Sequence, residues 1–304
     1  MHITHACDLG CKYCAHYCDF GYGGEVPYAQ GEEWLRAWAE RLAPQKFRIL
    51  GGEPLLHKDA ESYVRLVAEL FPDAKRDFTT NGLLLRKRED LLSAFIETNT
   101  MLTISLHPLE SKRQEAVVND ALILAYQHQE KGLQLRIVAN KRRWKKYYQG
   151  EGNTILPFMD GAPEKSAQSC STIQCKTLHQ GKLWKCPPLA YLPLIADRLE
   201  TKRFWEPYLR YEPLGIDASD ETIAAFIKGD SLFCDMCPAE PNIVFVGGVI
   251  PQDIHGALRA KNEKLGNKCD RMKKELGTLK KECASYIWCK RIVKGMLKKL
   301  RFAG

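Results

Sequence analysis

Long apolar runs are what this sequence most clearly lacks. No stretch of eighteen consecutive apolar residues occurs in its 304, which excludes a membrane-spanning helix. The opening residues offer no apolar signal region either, because His2 and His5 interrupt them before Cys7, and the expectation is a cytoplasmic protein rather than a secreted one. Internal repeats and low-complexity tracts are missing too, so a solenoid or a disordered array is excluded. Acidic residues are scarce in one place only. From Leu258 to the end, fifteen Lys and Arg face four Asp and Glu, a net of +11 that leaves the rest of a +8 chain at −3. The basicity therefore belongs to the tail and gives no licence to read the whole protein as binding nucleic acid.

What is present instead is sulfur. Twelve cysteines in a chain without secretory signs are better read as metal ligands or reactive thiols than as disulfides. The 45% hydrophobic content suffices for a sizeable core, and the length allows one large domain or two smaller ones.

Strand-like stretches fall at residues 2–5 (HITH), 47–50 (FRIL), 77–80 (DFTT), 102–106 (LTISL) and 133–139 (LQLRIVA). Between them lie EEWLRAWAERL, ESYVRLVAELF, REDLLSAFIE and KRQEAVVNDALILAYQHQ, with helical periodicity. Strands alternating with helices at this spacing predict repeated βα units and a parallel sheet. After about residue 140 the pattern stops. The segment KRRWKKYYQGEGNTILPFMDGAPEKSAQ reads as a polar connection punctuated by Gly and Pro.

Cys7, Cys11 and Cys14 are spaced C-x3-C-x2-C on a loop just after the first predicted strand. Three thiolates there can hold three corners of an iron-sulfur cube and leave the fourth iron free to bind something else, while a zinc knuckle or buried apolar cysteines are the alternatives. A second motif, GGEP at Gly51 to Pro54, follows the second predicted strand directly. Its glycines let the backbone approach a ligand closely, and its backbone groups can pair with an ammonium.

Cysteine triplet and GGEP motif, in that order after strands one and two, resemble the radical SAM superfamily over roughly residues 1–140. The resemblance implies an α/β fold, a partial (β/α)6 TIM-like barrel, with an open 4Fe-4S cluster on Cys7, Cys11 and Cys14. It implies that S-adenosyl-L-methionine binds the open iron and is cleaved to a 5′-deoxyadenosyl radical that takes a hydrogen from substrate. Tyr13 would pack near the adenine, Gly51, Gly52 and Glu53 would meet the methionine amine, and Ser105 would contact ribose or carboxylate. Asn81 and Asn140 are weaker candidates for the same pocket, each also readable as a turn residue. Only six residues precede Cys7, so the first strand is expected to be unusually short, with an N-terminal extension absent or trimmed. Cys18 lies outside the motif; it is read as a small residue near the cluster, with a redox-active, catalytic thiol as the alternative.

A second set comprises Cys170, Cys175, Cys186, Cys234 and Cys237. KTLHQGKLWKC predicts a hairpin turning at Gln180 and Gly181, and SDETIAAFIKGD predicts a helix capped by Ser219 ahead of the CDMC pair. Hairpin and pair together could hold iron-sulfur or zinc. The spacing resembles the auxiliary-cluster region of radical SAM enzymes with a Twitch or SPASM domain, which implies one auxiliary 4Fe-4S cluster with one of the five cysteines spare. The expected domains are a radical SAM core over 1–145, a Twitch/SPASM-like domain over 146–257 and a basic helical tail over 258–304. Cys269, Cys283 and Cys289 in the tail show no metal spacing.

The expected activity is oxidation, or alternatively epimerisation, of a carbohydrate-like small molecule. A peptide or protein maturase is the runner-up, and a structural metal-binding module is the reading from outside enzymology. An electron donor such as flavodoxin or ferredoxin is implied. In the tail Trp288, Ile292, Met296 and Leu300 share one helical face with lysines largely off it. That face is expected to pack against the barrel, with an anionic partner or a membrane surface as the alternatives.

Overall fold

The computed structural model describes residues 1–139, 143–170 and 172–248. Asn140 and the whole basic tail lie outside the described residues.

Four strands, β1 (Lys46–Ile49), β2 (Lys75–Thr80), β3 (Met101–Leu106) and β4 (Leu135–Ala139), form one parallel sheet in sequence order. The crossovers are α1 (Tyr28–Ala39), α2 (Ala60–Leu70), α3 (Leu91–Glu97) and α4 (Lys112–Gln129), the last capped by the Ser111 side chain, which accepts from the Gln114 N–H. The register puts alternate residues on opposite faces. One face carries Phe47, Ile49, Phe78, Leu102, Ile104 and Ile137 and takes the helices, as when Phe78 meets Phe95 of α3 at 5.0 Å between ring centroids. The other carries Lys46, Arg48, Asp77, Thr79, Thr103, Ser105 and Arg136.

Residues 1–6 run parallel to β1 and its continuation. Ile3 N–H donates to the Leu50 carbonyl at 2.9 Å, Gly52 N–H to Thr4 at 2.9 Å and Glu53 N–H to Ala6 at 2.8 Å. The expected first strand is thus an extended segment with a single parallel bridge, His2 to Leu50, rather than a regular strand. Its other edge is taken by the antiparallel bridge of Thr4 to Glu25, which ends the ladder.

Beyond four βα units, counting the N-terminal segment with α1, neither a crossover helix after β4 nor a sixth parallel strand is present among the described residues. Only three residues separate β4 from β5 (Arg143–Lys145), too few for the crossover a parallel neighbour requires, and β5 instead pairs antiparallel with β8 (Ile243–Phe245). The core is therefore a partial, TIM-like half barrel.

The remaining described residues include α5 (Pro163–Ser169), the hairpin β6 (Thr177–His179) and β7 (Lys182–Trp184), α6 (Pro187–Ile195), α7 (Lys202–Leu209) and α8 (Asp220–Lys228). Gln180 and Gly181 turn the hairpin with φ of 52° and 72°, and the Ser219 side chain caps α8, as their sequences predict. The stretch read as a polar connection is more buried than its composition suggests. Tyr148 and Ile155 are fully buried, and the Trp205 indole N–H donates to the Ile155 carbonyl at 3.0 Å. Among the described residues no helix is long and apolar enough to cross a membrane.

Candidate functional site

The thiols of the first motif sit on a loop at the carboxyl ends of the parallel strands, where open α/β sheets place their ligands. Cys7, Cys11 and Cys14 are half-buried, and Cys18 is fully buried. Two left-handed residues, Tyr13 (φ 61°) and Tyr17 (φ 56°), fold the loop back on itself, and the Tyr17 N–H donates to the Cys14 carbonyl at 2.9 Å. His107, just past β3, places Nδ1 3.7 Å from the Cys11 sulfur.

The four thiols feel one another. The Cys18 thiol hydrogen-bonds Cys14 and holds it well below the ordinary thiol value against the opposing effect of burial, while hydrogen bonds to Cys14 and Cys7 push Cys18 itself up. Burial, followed by the charges of Cys14 and Cys7, pushes Cys11 up to about 12. Ionising Cys11 therefore demands a nearby positive counter-charge, which a cationic iron-sulfur core supplies. The donor set fits that group.

The GGEP loop is locked to the cysteine loop by contacts that tolerate no side chain. A Cβ on Gly52 would stand 2.3 Å from the Ala6 carbonyl oxygen, and one on Gly51 would stand 2.8 Å from that of Thr4. Glu53 is fully buried. Its Oε1 accepts from Leu55 N–H at 3.0 Å and Thr80 Oγ1 at 2.7 Å, and its Oε2 from Asn81 N–H at 2.8 Å. Burial raises its carboxyl to about 7 despite those three donors. Asn81 extends the clamp, its side-chain amide donating to Asp8 at 2.7 Å, while its carbonyl oxygen accepts from Leu83 N–H as a turn residue would. Ser105 is half-buried near the end of β3, in register with Val138. A cleft of about 460 Å³ opens beside Cys11 and Tyr13, walled by Trp144, Glu110 and Glu151. At its rim Glu151 accepts from Tyr13 OH at 2.7 Å and Lys12 Nζ at 2.9 Å.

Four of the five later cysteines come together. Cys170, Cys186, Cys234 and Cys237 line one small cavity, whereas Cys175 is exposed and outside it. Burial first, then mutual repulsion, pushes Cys186 up to about 12 and Cys237 well above the ordinary thiol value. The buried Lys185, paired with Asp230 at 2.6 Å, sits against Cys234 and opposes its rise. Among the described residues no three His, Cys, Asp or Glu side chains are arranged to hold a single metal ion.

One cluster escaped the sequence reading. His2, His5, His16 and His179 gather around the buried Tyr191 ring, with His2 stacked on it at 4.4 Å and His5 and His179 edge-on at 5.2 and 5.1 Å. Burial keeps His5 and His179 near 4, hence neutral at pH 7. Both ring nitrogens of His2 and the Tyr191 hydroxyl are buried without a hydrogen-bond partner among the described residues. The signal was the run of histidines at 2, 5 and 16, too sparse to read without the fold.

Residues 1–122 match the radical SAM superfamily. With the cysteine loop and the GGEP clamp in place, that match supports membership of the superfamily and, with it, a 4Fe-4S cluster and S-adenosyl-L-methionine as cofactors. Among curated relatives, a GTP 3′,8-cyclase of Campylobacter jejuni subsp. doylei is 30% identical over 173 residues, covering 55% of this chain and 52% of the relative. A GTP 3′,8-cyclase of Aquifex aeolicus is 28% identical over 127 residues, covering 40% and 38%. A probable GTP 3′,8-cyclase of Archaeoglobus fulgidus is 32% identical over 112 residues, covering 36% of each. The chain spans about half the length, or less, of these curated relatives. Among solved structures, BtrN in complex with AdoMet and 2-DOIA is 20% identical, covers 46% of this chain and 55% of that one, and has a TM-score of 0.33.

Proposed function

We propose that this chain is a radical SAM enzyme that oxidises a carbohydrate-like small molecule in the cleft beside Cys11. The carrying observation is the interlock of the two motifs. The backbone of residues 4–6 is bonded to Gly52 and Glu53, and the Glu53 and Asn81 side chains tie that loop to β2 and to Asp8 on the cysteine loop. Cys7, Cys11 and Cys14 would hold the open cluster. Bound there, it would supply the electron that cleaves S-adenosyl-L-methionine and so starts hydrogen removal from substrate. Gly51 and Gly52 let the GGEP loop lie against the backbone of residues 4–6, and Tyr13, fixed through Glu151 and flanked by Lys146 at 4.5 Å from its ring, shapes the rim. Ser105 stands on the sheet's polar face near the same strand ends.

Cys170, Cys186, Cys234 and Cys237 would hold an auxiliary 4Fe-4S cluster, with Cys175 as the spare thiol. Oxidation is favoured over epimerisation because inversion needs a hydrogen donor near substrate. Cys11 is the only thiol among the described residues lining the cleft, and Cys18 is turned into the protein against Cys7 and Cys14. The relatives' name, GTP 3′,8-cyclase, describes chemistry on a nucleotide, which suits a small-molecule substrate better than a peptide.

The test is to reduce the reconstituted protein, add S-adenosyl-L-methionine and measure 5′-deoxyadenosine. No 5′-deoxyadenosine from a protein carrying its full iron content would refute the radical reading. Solvent deuterium appearing at an inverted carbon of the product would refute oxidation.

A further inference from the structure

Each sulfur of the first cysteine motif has a hydrogen-bonding neighbour, and the three neighbours are of different kinds. The Leu9 backbone N–H donates to Cys7 Sγ at 3.4 Å, the Cys18 thiol bonds Cys14, and the His107 ring sets Nδ1 3.7 Å from Cys11 Sγ. The first two belong to the cysteine loop itself and move with it. His107 does not, because it stands 96 residues further along the chain, just past the end of β3.

Its surroundings fix it from two sides. Leu106, the residue before it, is in register with Ala139 of β4, so the backbone that carries His107 leaves the sheet from a paired strand. The indole of Trp144 on β5 then packs against the imidazole at 5.4 Å between ring centroids, with the planes tilted by 34°. Trp144 and Cys11 both wall the cleft, and His107 touches both without lining the cleft itself. It is therefore placed to act on substrate chemistry only through Cys11.

Which atom carries the hydrogen follows from the chemistry of the acceptor. A thiolate that binds iron has no hydrogen to give, so the imidazole nitrogen facing it must be the one that bears the hydrogen. A hydrogen bond to a ligating sulfur fixes the direction of that ligand and draws negative charge from it, which favours the more negative, reduced state of the group it binds. We infer that His107 is a positioning residue for the first thiol site, donating from Nδ1 to Cys11 Sγ, orienting that ligand and raising the reduction potential of the iron-sulfur group held there. This rests on reading Cys7, Cys11 and Cys14 as the ligands of that group.

The test uses the full chain with its iron-sulfur content reconstituted, in wild type, His107→Asn, His107→Gln and His107→Phe. The Asn amide nitrogen falls where Nδ1 stands and keeps the donor, the Gln amide nitrogen falls where Nε2 stands and faces away from Cys11, and Phe keeps only the ring. Electron paramagnetic resonance is followed through a redox titration, and the first site is the signal that changes when S-adenosyl-L-methionine is added. Gln and Phe are each expected to lower the ratio of reduced to oxidised protein at the wild-type midpoint by about tenfold, which is about 59 mV for a one-electron couple, and Asn to restore most of it. A Gln variant with the wild-type midpoint would overturn the role. So would an Asn variant displaced, or emptied of iron, as far as Gln, since that result marks a contact that only holds the fold. Should His107→Phe fail to bind iron, the Asn and Gln pair decides by the same criterion. A wild type with no signal that responds to S-adenosyl-L-methionine refutes the cluster reading and this role together, whereas a responsive signal whose midpoint none of the variants moves refutes this role alone.

Discussion

Glu53→Gln should remove a pH dependence from the stability of the metal-free protein. The Glu53 carboxyl is raised from 4.5 to about 7, chiefly because it is buried, with three hydrogen-bond donors only partly offsetting the loss of water. A group whose folded value lies above its unfolded value stabilises the fold fully below the unfolded value and loses that contribution as pH rises through the folded one. Relative to a neutral residue, Glu53 should therefore cost nothing from ionisation below about pH 4.5 and about 3 kcal/mol well above pH 7, at about 1.4 kcal/mol per pH unit. Gln carries its own constant penalty, because its amide nitrogen must face either the Asn81 N–H or the pair of donors at Oε1. The informative quantity is thus the slope, not the offset. Denaturant unfolding of both proteins at pH 5, 6, 7 and 8 gives the difference in stability at each pH, and other titrating groups cancel in it. A difference that stays flat across that range would refute the argument that burial outweighs the three donors.

Other outcomes follow from the same geometry. Gly52→Ala should disrupt the interlock of the two motifs, since the new methyl meets backbone at 2.3 Å, and should lower both iron content and melting temperature; a fully loaded, equally stable variant would contradict it. Replacing Cys7, Cys11 and Cys14 together with Ala should remove about four irons and leave the second site filled, whereas unchanged iron would sink the assignment. Cys175→Ser should keep the auxiliary iron that Cys170→Ser or Cys234→Ser loses, as measured by iron and sulfide analysis, because only Cys175 lies outside the cavity. His179 titrates in the opposite sense to Glu53. Burial lowers it from 6.5 to about 4, so its contribution is present above pH 6.5 and lost as pH falls through 4, and His179→Asn should flatten the acid side of the stability profile.

How much of this was legible follows from how far each signal reaches along the chain. Four strands and four helices of the half barrel were readable because each carries its own period, and the hairpin and the Ser219 cap were readable because turn and cap chemistry is local. Both cysteine motifs were readable as spacing, yet spacing could not say which of the later five gather. That choice is made by α5, which ends at Cys170 with its N–H bonded to the Ala167 carbonyl, and by the turn from Thr172 that carries Cys175 away from the other four. The pairing of β5 with β8 joins two three-residue strands about a hundred residues apart, too short for any alternation to show. The histidine cluster was hidden for a related reason. Its members come from the first bridge, the cysteine loop and the hairpin, and they share an environment only because Tyr191 of α6 is buried among them. The charged face of the parallel sheet is the intermediate case. Lys46, Arg48 and Arg136 break the hydrophobic run expected of strands covered on both sides, and a charge at every second position of a parallel strand means one face has no helix over it. A sheet with both faces covered would have had to neutralise or exclude those charges. Their presence in the sequence is therefore evidence for the open half barrel.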